Sequence, residues 1–244
     1  MGELIAVLSG KGGTGKTSVC AGVASALAIR GERVLCIDCD IGLRNLDIAL
    51  GITELGALSF QEVSSGAYPL DMAACHPQYP NLYFLTAPIG CTAADIDMQS
   101  FSRLLNQARK TFSYVFLDAP AGIDAGFSLA AQFADRILLV TGPDPAAIRD
   151  ASRTGEVLLS MGKKNVRLVV NRLSKNLIAA LNLTVDDIMD QAGLPLLGIV
   201  PEDPDVTLAA TFQKPLLCYS KKGAAKACRR IALRLLGYPT PVRL

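Results

Sequence analysis

The chain has 244 residues, of which 50% are hydrophobic and 19% are charged, a balance typical of a folded globular protein and not of a disordered one. A formal net charge of +2 is too small to indicate nucleic-acid or membrane binding by itself. No stretch is long enough to span a bilayer, and the N-terminus leads into a predicted strand without signal-peptide features. We therefore expect a cytoplasmic protein, with a peripheral position at the inner membrane face left open.

The most informative stretch lies between a predicted strand over residues 4–8 and a predicted helix over residues 17–30. It reads Ser-Gly-Lys-Gly-Gly-Thr-Gly-Lys-Thr and fits the phosphate-loop pattern. Glycines bring backbone N–H groups close to phosphate oxygens, Lys16 can reach the β- and γ-phosphates, and the Thr17 hydroxyl can ligate Mg²⁺. The motif predicts a nucleotide site with these phosphate-binding residues: Gly10, Lys11, Gly12, Gly13, Thr14, Gly15, Lys16, Thr17 and Ser18.

Carboxylates follow two further predicted strands. The strand over residues 33–38 ends at Asp38, with Asp40 close behind, and the strand over residues 114–117 is followed by Asp118. The carboxyl ends of parallel strands form the ligand-binding edge of an α/β sheet. An acid directly after an apolar strand suits a Walker B position, where it holds the Mg²⁺ shell. Asp118 is therefore a predicted metal-site residue.

The rest of the chain alternates apolar strands with helical patterns, which predicts one mostly parallel sheet covered by helices on both faces. We expect a single domain over residues 1–244, with a short proline-containing tail at 237–244. The further predicted strands cover residues 82–87, 136–141, 167–171 and 196–200. The further predicted helices cover residues 58–66, 95–112, 145–161 and 221–236, with a proline-rich turn region before residue 80.

The seven cysteines and the single histidine do not indicate a metal site. Cys36 and Cys39 have a C-x-x-C spacing, but they flank a strand end, where residues three apart point to opposite faces. We expect structural thiols. His76 lies in a segment that reads as a loop, so a histidine-based catalytic triad is poorly supported.

Three segments resemble the MinD/ParA family of ATPases. Lys11 adds a second lysine to the loop, giving Lys-Gly-Gly-Thr-Gly-Lys-Thr, the deviant phosphate loop of that family. The run Asp-Ile-Gly-Leu-Arg-Asn-Leu-Asp from Asp40 to Asp47 resembles the MinD branch more specifically, as does Pro-Ala-Gly-Ile after Asp118. Asp124 stands where the family pattern has glutamate.

The resemblance implies a P-loop NTPase fold, ATP and Mg²⁺ as cofactors, and an ATP-dependent homodimer. In such a dimer Lys11 would reach the partner subunit's nucleotide, and Asp38 and Asp40 would lie near Mg²⁺ and the attacking water. Lys11, Lys16 and Asp40 are then the expected catalytic residues, and the expected metal-site residues are Thr17, Asp38, Asp40 and Asp118. The residues expected to border the adenine are Asn171, Arg172, Pro201 and Asp203.

The implied activity is an ATPase switch that positions the cell-division site, with a stimulating partner and a division inhibitor. A ParA-like partitioning ATPase or a flagellar-placement ATPase is a close alternative, and an ATP-dependent small-molecule synthetase is a more distant one. The nitrogenase iron protein needs a cysteine after the Asp118 loop, and residues 119–135 contain none.

The last predicted helix concentrates positive charge. Its helical period places Lys222, Lys226, Arg229, Arg230 and Arg234 on one face, and places Ala224, Ala227, Cys228, Ile231 and Leu235 opposite. The small apolar residues favour packing against the sheet, with the basic face solvated. Membrane binding is left open although the usual C-terminal targeting helix of MinD proteins is not found after residue 236, and non-specific DNA binding is the weaker alternative.

Overall fold

The computed structural model describes residues 1–53 and 55–243. Its strands are β1 (Glu3–Leu8), β2 (Val34–Asp38), β3 (Ala74–His76), β4 (Tyr79–Leu85), β5 (Tyr114–Asp118), β6 (Arg136–Thr141), β7 (Val166–Leu173) and β8 (Leu196–Pro201). They form one sheet in the order β3-β4-β2-β5-β1-β6-β7-β8. All neighbouring pairs are parallel except β3 with β4. The predicted α/β fold, with its mostly parallel sheet, is confirmed.

Helices cover both faces of this sheet. They are α1 (Lys16–Ile29), α2 (Leu46–Leu50), α3 (Phe60–Ser64), α4 (Met98–Thr111), α5 (Ala125–Phe133), α6 (Pro145–Ser160), α7 (Lys175–Leu181), α8 (Val185–Ala192), α9 (Pro204–Thr211), α10 (Leu216–Tyr219) and α11 (Gly223–Leu235). One core cluster contains buried residues of α3, α4, α5, α6 and α8, and the other contains those of α1, α2, α9, α10 and α11. No helix of the described residues is both long and apolar enough to cross a bilayer.

The interior of the sheet explains why its strands read as continuous apolar runs. Strand β1 lies between β5 and β6, and its last five residues are fully buried because helices cover both faces. Cys36 belongs to one core cluster and Cys39 to the other, which confirms that the two thiols face opposite sides.

Two predictions for the segment that forms β3 and β4 were wrong. His76 does not lie in a loop but ends β3, an edge strand antiparallel to β4, and it is 2% exposed. β4 begins at Tyr79, three residues earlier than predicted. Pro77 and Pro80 made this segment read as turns, but the hairpin lies at the sheet edge, where a proline without an N–H is tolerated.

Differences elsewhere concern boundaries and short helices. Strand β7 continues to Leu173, two residues beyond its predicted end, so Arg172 lies within it rather than after it. The sequence patterns did not predict α2, α5, α7, α8, α9 and α10. Most of these helices have fewer than nine residues, too few for a clear apolar period.

Candidate functional site

The phosphate loop connects β1 to α1 at the carboxyl edge of the sheet. Gly15 precedes α1 with φ 81°, a left-handed conformation that glycine adopts without strain. Lys16 and Asp118 form a buried ion pair, in which the Lys16 ammonium donates to Asp118 Oδ1 at 2.8 Å. Burial raises the pKa of the Asp118 carboxyl, and the Lys16 charge acts against that rise. The structure therefore brings the two residues together with their charges matched.

Asp38 lies beside Asp118 at the same register of the neighbouring strand β2. Its two oxygens accept backbone hydrogen bonds, from Asp40 N at 2.9 Å and from Leu46 N at 3.2 Å. Burial first, and then the nearby Asp118 charge, raise the pKa of the Asp38 carboxyl to about 7. The site thus holds two buried acids and one buried lysine: Lys16 balances Asp118, and a proton or a bound cation would balance Asp38.

The loop from Asp40 to Asn45 covers these carboxylates. Asp40 is half-buried, and its Oδ1 accepts a hydrogen bond from Leu43 N at 3.2 Å. Arg44 has φ 51° and donates two bonds to Thr86 Oγ1, at 3.1 and 2.8 Å. Asn45 is the N-cap of α2 but makes no side-chain capping bond. The loop is held by Arg44 rather than by Asn45.

The residues of the loop fit a phosphate and a divalent cation. The Thr14 hydroxyl is buried without a hydrogen-bond partner, which is costly for a polar atom unless a ligand supplies the bond. A Cβ on Gly13 would meet open space, so packing of the protein against it does not explain this glycine. Thr17, Asp38, Asp40 and Asp118 offer the oxygen donors that Mg²⁺ prefers. Among the described residues, no group of three or more His, Cys, Asp and Glu side chains is placed to hold a metal ion by itself.

A cavity of about 210 Å³ opens beside the loop, where the base and ribose of a nucleotide would lie. Asn171 and Arg172 form one wall and bond to the phosphate loop itself: Asn171 Nδ2 donates to Thr14 O at 2.7 Å and Arg172 Nη1 donates to Gly13 O at 3.2 Å. Pro201 and Asp203 also line the cavity. Four predicted adenine-site residues thus lie together.

Asp203 has a second function that the sequence did not reveal. It caps α9 by accepting from Asp205 N, and it also accepts from Ala224 N at the start of α11, so its carboxylate is occupied by the backbone. The cavity also has apolar lining residues that the sequence analysis missed: Val19, Val200, Val206, Leu216, Ala224 and Cys228. Their positions depend on the packing of α1, α9 and α11, which no local motif signals.

Lys11 lies at the exposed rim of the site. Its ammonium is 3.3 Å from Asp144 Oδ1, and both side chains are about half exposed. Asp144 is also the N-cap of α6, where its side chain accepts a hydrogen bond from Ala147 N. Three large apolar side chains are exposed on other loops of this edge: Leu43 (73%), Ile89 (81%) and Ile123 (57%).

The basic face of the last helix differs from its prediction. The apolar side of α11 is buried as expected, and α11 packs so closely on α1 that a Cβ on Gly22 would lie 2.6 Å from Cys228 Sγ. Arg229, Arg230 and Arg234, however, donate to backbone carbonyls: Arg229 to Leu217 and Lys221, Arg230 to Arg243, and Arg234 to Leu197 and Thr240. The three guanidinium groups bond to backbone carbonyls of the same chain, so only Lys222 and Lys226 of the predicted face are exposed.

Comparison with known proteins gives the chain close relatives. Residues 5–216 match the family model of the CobQ/CobB/MinD/ParA nucleotide binding domain. The septum site-determining protein MinD of Bacillus subtilis is 34% identical over 250 residues, which cover 100% of this chain and 92% of that protein.

Solved structures agree with this result. The MinC:MinD cell division protein complex of Aquifex aeolicus contains a chain that matches with a TM-score of 0.91 and 33% identity, covering 99% of this chain and 98% of that one. The septum site-determining protein MinD of Pyrococcus horikoshii, solved with Mg-ADP, matches with a TM-score of 0.80 and 25% identity over 96% of each chain.

Proposed function

The chain belongs to the MinD family of ATPases, and from that premise we propose that it is a Mg²⁺- and ATP-dependent switch that dimerises with ATP and positions the cell-division site. The observation that carries the proposal is the pair of Lys16 and Asp118 at 2.8 Å, beside a Thr14 hydroxyl with no partner. In such a loop the groups that would bind the phosphates are already in place before a nucleotide arrives. Hydrolysis of ATP is the reaction that the switch performs.

In this proposal each polar residue of the site has one role. The Thr17 hydroxyl and the carboxylates of Asp38, Asp40 and Asp118 hold Mg²⁺ and its water shell. The bound cation would neutralise charge on the phosphates during transfer. Lys16 exchanges Asp118 for the β- and γ-phosphates, and Asp40, the most accessible of the three acids, orients the attacking water. Asn171, Arg172, Pro201 and Asp203 form the base cavity.

The homodimer is proposed from the rim of the site. Lys11 is exposed and pairs with Asp144 at the surface, and it would leave Asp144 to reach a second subunit's nucleotide. The three exposed apolar side chains of the same edge, Leu43, Ile89 and Ile123, are the kind of surface that a partner covers. A dimer that closes over the nucleotide would bury both features together.

The partners follow from the relatives. A MinD chain in complex with MinC supports a division inhibitor as one partner of this chain. A stimulating partner protein and a peripheral position at the inner membrane face remain parts of the proposal, with non-specific DNA as the weaker alternative surface. Lys222 and Lys226 are the solvated cations that α11 offers to either surface.

The experiment combines ATP hydrolysis with light scattering. We expect the wild-type chain to hydrolyse ATP and to dimerise only with Mg²⁺ and ATP. Lys11→Ala should bind ATP as a monomer yet lose dimerisation and hydrolysis, whereas Lys16→Ala should lose tight ATP binding itself. A Lys11→Ala protein that dimerises and turns over normally would contradict the proposed dimer, and unchanged ATP affinity of Lys16→Ala would contradict the site.

A further inference from the structure

The short helix α2 connects the catalytic loop to the rest of the fold. It has five residues, Leu46–Leu50, and follows directly after the loop that starts at Asp40. The Leu46 N–H at its start donates to Asp38 Oδ2 at 3.2 Å. A helix of this length is not stable alone, because few backbone bonds repay its ordering. Its position is therefore set by the burial of Leu46 and Leu50 in the core and by the hydrogen bonds that hold its two ends.

The far end of α2 is held by His76. The Leu50 carbonyl is one of the last carbonyls of α2, which have no partner within the helix. His76 Nε2 lies 2.9 Å from this oxygen. Because a carbonyl only accepts, Nε2 carries the proton, and Nδ1 is then the acceptor that receives Gln78 N–H at 3.1 Å.

The imidazole ring is fixed in this arrangement. It stacks on the Tyr79 ring with the centroids 4.7 Å apart, and it is 2% exposed. Burial lowers the pKa of His76, so the ring stays neutral and keeps the tautomer that both bonds require. Gly51, the residue after α2, has φ 70°, and a Cβ there would lie 2.8 Å from Pro215 N. The C-terminal end of α2 is thus confined between the β3–β4 hairpin and the segment before α10.

We propose that His76 is a positioning residue of the ATPase site. By holding Leu50 it fixes α2, and through the Leu46 N–H it fixes the Asp38 carboxylate and the loop that carries Asp40. It touches neither nucleotide nor metal and acts only through α2. The inference rests on the proposed ATPase function. It assigns an effect on activity to a residue of the β3–β4 hairpin, remote from the phosphate loop.

Two substitutions of His76 distinguish the bond to the Leu50 carbonyl from the bond to Gln78 N–H. In His76→Gln the side-chain amide reaches the position of Nε2 and can still donate to the Leu50 carbonyl. In His76→Asn the shorter amide reaches only the position of Nδ1. Both variants lose the imidazole and its stacking on Tyr79, and they differ by one methylene and by the bond to Leu50, so thermal unfolding should show the larger fall in Tm for His76→Asn.

We expect His76→Asn to lower kcat at saturating Mg-ATP about fivefold, the weight of one ordinary hydrogen bond, with KM for ATP changed less than about twofold. His76→Gln should retain kcat to within about twofold. Equal kcat in His76→Asn and wild type would overturn the inference. So would an equal loss in both variants, because the Leu50 bond would then not be the cause. A wild-type chain without ATPase activity would instead refute the proposed function.

A second measurement needs no variant. His76 is the only histidine, so ring ¹⁵N NMR of the wild-type chain gives one assignable pair of signals. We expect the neutral Nε2-protonated tautomer both in the nucleotide-free protein and after adding Mg²⁺ with a non-hydrolysable ATP analogue, because the bond to the Leu50 carbonyl is kept while the site is loaded. A charged ring, or the Nδ1-protonated tautomer, in the loaded protein would overturn the inference even if both variants failed to fold.

Discussion

At the scale of single residues, a substitution at Thr14 should change ligand binding without lowering the stability of the fold. Its hydroxyl is buried and unpartnered, so Thr14→Val, which keeps the shape, should leave the Tm of the nucleotide-free protein unchanged or raise it. The same change should weaken Mg-ATP binding about tenfold or more, the value of a hydrogen bond to a charged group. Calorimetry and thermal unfolding measure the two effects.

Lys16→Ala is the contrasting control for this prediction. It leaves Asp118 buried without a cation, so it should lower both the Tm of the nucleotide-free protein and the affinity for ATP. If Thr14→Val also lowered the Tm substantially, its hydroxyl would have a partner within the folded chain, and its value as evidence for a phosphate would be lost.

Asp38 should make Mg²⁺ binding depend on pH. Its pKa is raised to about 7 by burial and by Asp118, so the folded, metal-free protein holds a proton that the unfolded chain has released. Its contribution to stability is therefore lost as pH rises through 7. Mg²⁺ needs the carboxylate, so Mg-ATP affinity should increase from pH 6 to pH 8, with proton release on binding. Calorimetry in buffers of different ionisation enthalpy would detect the proton, and Asp38→Asn should abolish that release.

Sequence reasoning could propose the site residues because local chemistry dictates their types and spacing. A phosphate loop needs glycines, a lysine and a hydroxyl at fixed spacing, and a strand that ends in Asp118 needs no distant information. The contacts of His76 and Asp203 could not be predicted, because their partners, Leu50 and Ala224, lie 26 and 21 residues away and are backbone atoms. Backbone groups have no sequence signature of their own.

At the scale of elements, the N-terminus of α6 holds Lys11 away from its proposed role. Asp144→Asn keeps a good N-cap residue but removes the charge that pairs with Lys11. An exposed pair of this kind is worth at most about 1 kcal/mol. We expect ATP-dependent dimerisation to strengthen by up to about fivefold for each of the two pairs that open, measured by light scattering against protein concentration, while the free energy of unfolding falls by no more than about 1 kcal/mol. Weaker dimerisation would indicate that Asp144 itself contributes to the dimer.

Helix α11 gives a second prediction at this scale, because its cations fall into two groups. Arg234→Glu breaks bonds to the Leu197 and Thr240 carbonyls and puts a carboxylate beside them, so it should destabilise the fold by about 2 kcal/mol or more. Lys222→Glu with Lys226→Glu should leave the free energy of unfolding within about 0.5 kcal/mol of wild type. Only the lysine variant should lower co-sedimentation with anionic vesicles at low salt while ATPase activity is retained.

Amphipathic periodicity predicted the buried side of α11 correctly because apolar burial depends on direction around the helix. It failed for the arginines because the same direction does not reveal which carbonyls lie within reach of a long side chain. Arginine stems can lie along apolar surface while the guanidinium bonds to the backbone, so a basic stripe in sequence need not be a basic surface.

At the scale of the whole molecule, the parallel topology accounts for most of what could be predicted. Strands β1, β2 and β5 are neighbours in one sheet, so the phosphate loop, Asp38 and Asp118 meet at a single edge although they are distant in sequence. The antiparallel β3 departs from this pattern and was missed. It is also the strand that carries His76, so the unpredicted part of the sheet contains the proposed positioning residue.

The same edge yields the prediction that tests the complete switch. Asp40 is the only half-buried acid of the three, and its carboxylate engages a single backbone N–H, so Asp40→Ala should leave the buried pair of Lys16 and Asp118 intact. We expect the variant to bind Mg-ATP and dimerise but to hydrolyse ATP at least about a hundredfold more slowly, the usual share of a residue that positions the attacking group.

The long-lived dimer should then capture a division inhibitor of the MinC type in a pull-down with ATP and release it with ADP. Adding Lys11→Ala to Asp40→Ala provides the control, because it should bind ATP without forming the dimer and therefore without capturing the inhibitor. Capture that is equal with ATP and ADP would contradict a switch, since a partner that binds both states equally cannot report which nucleotide is bound.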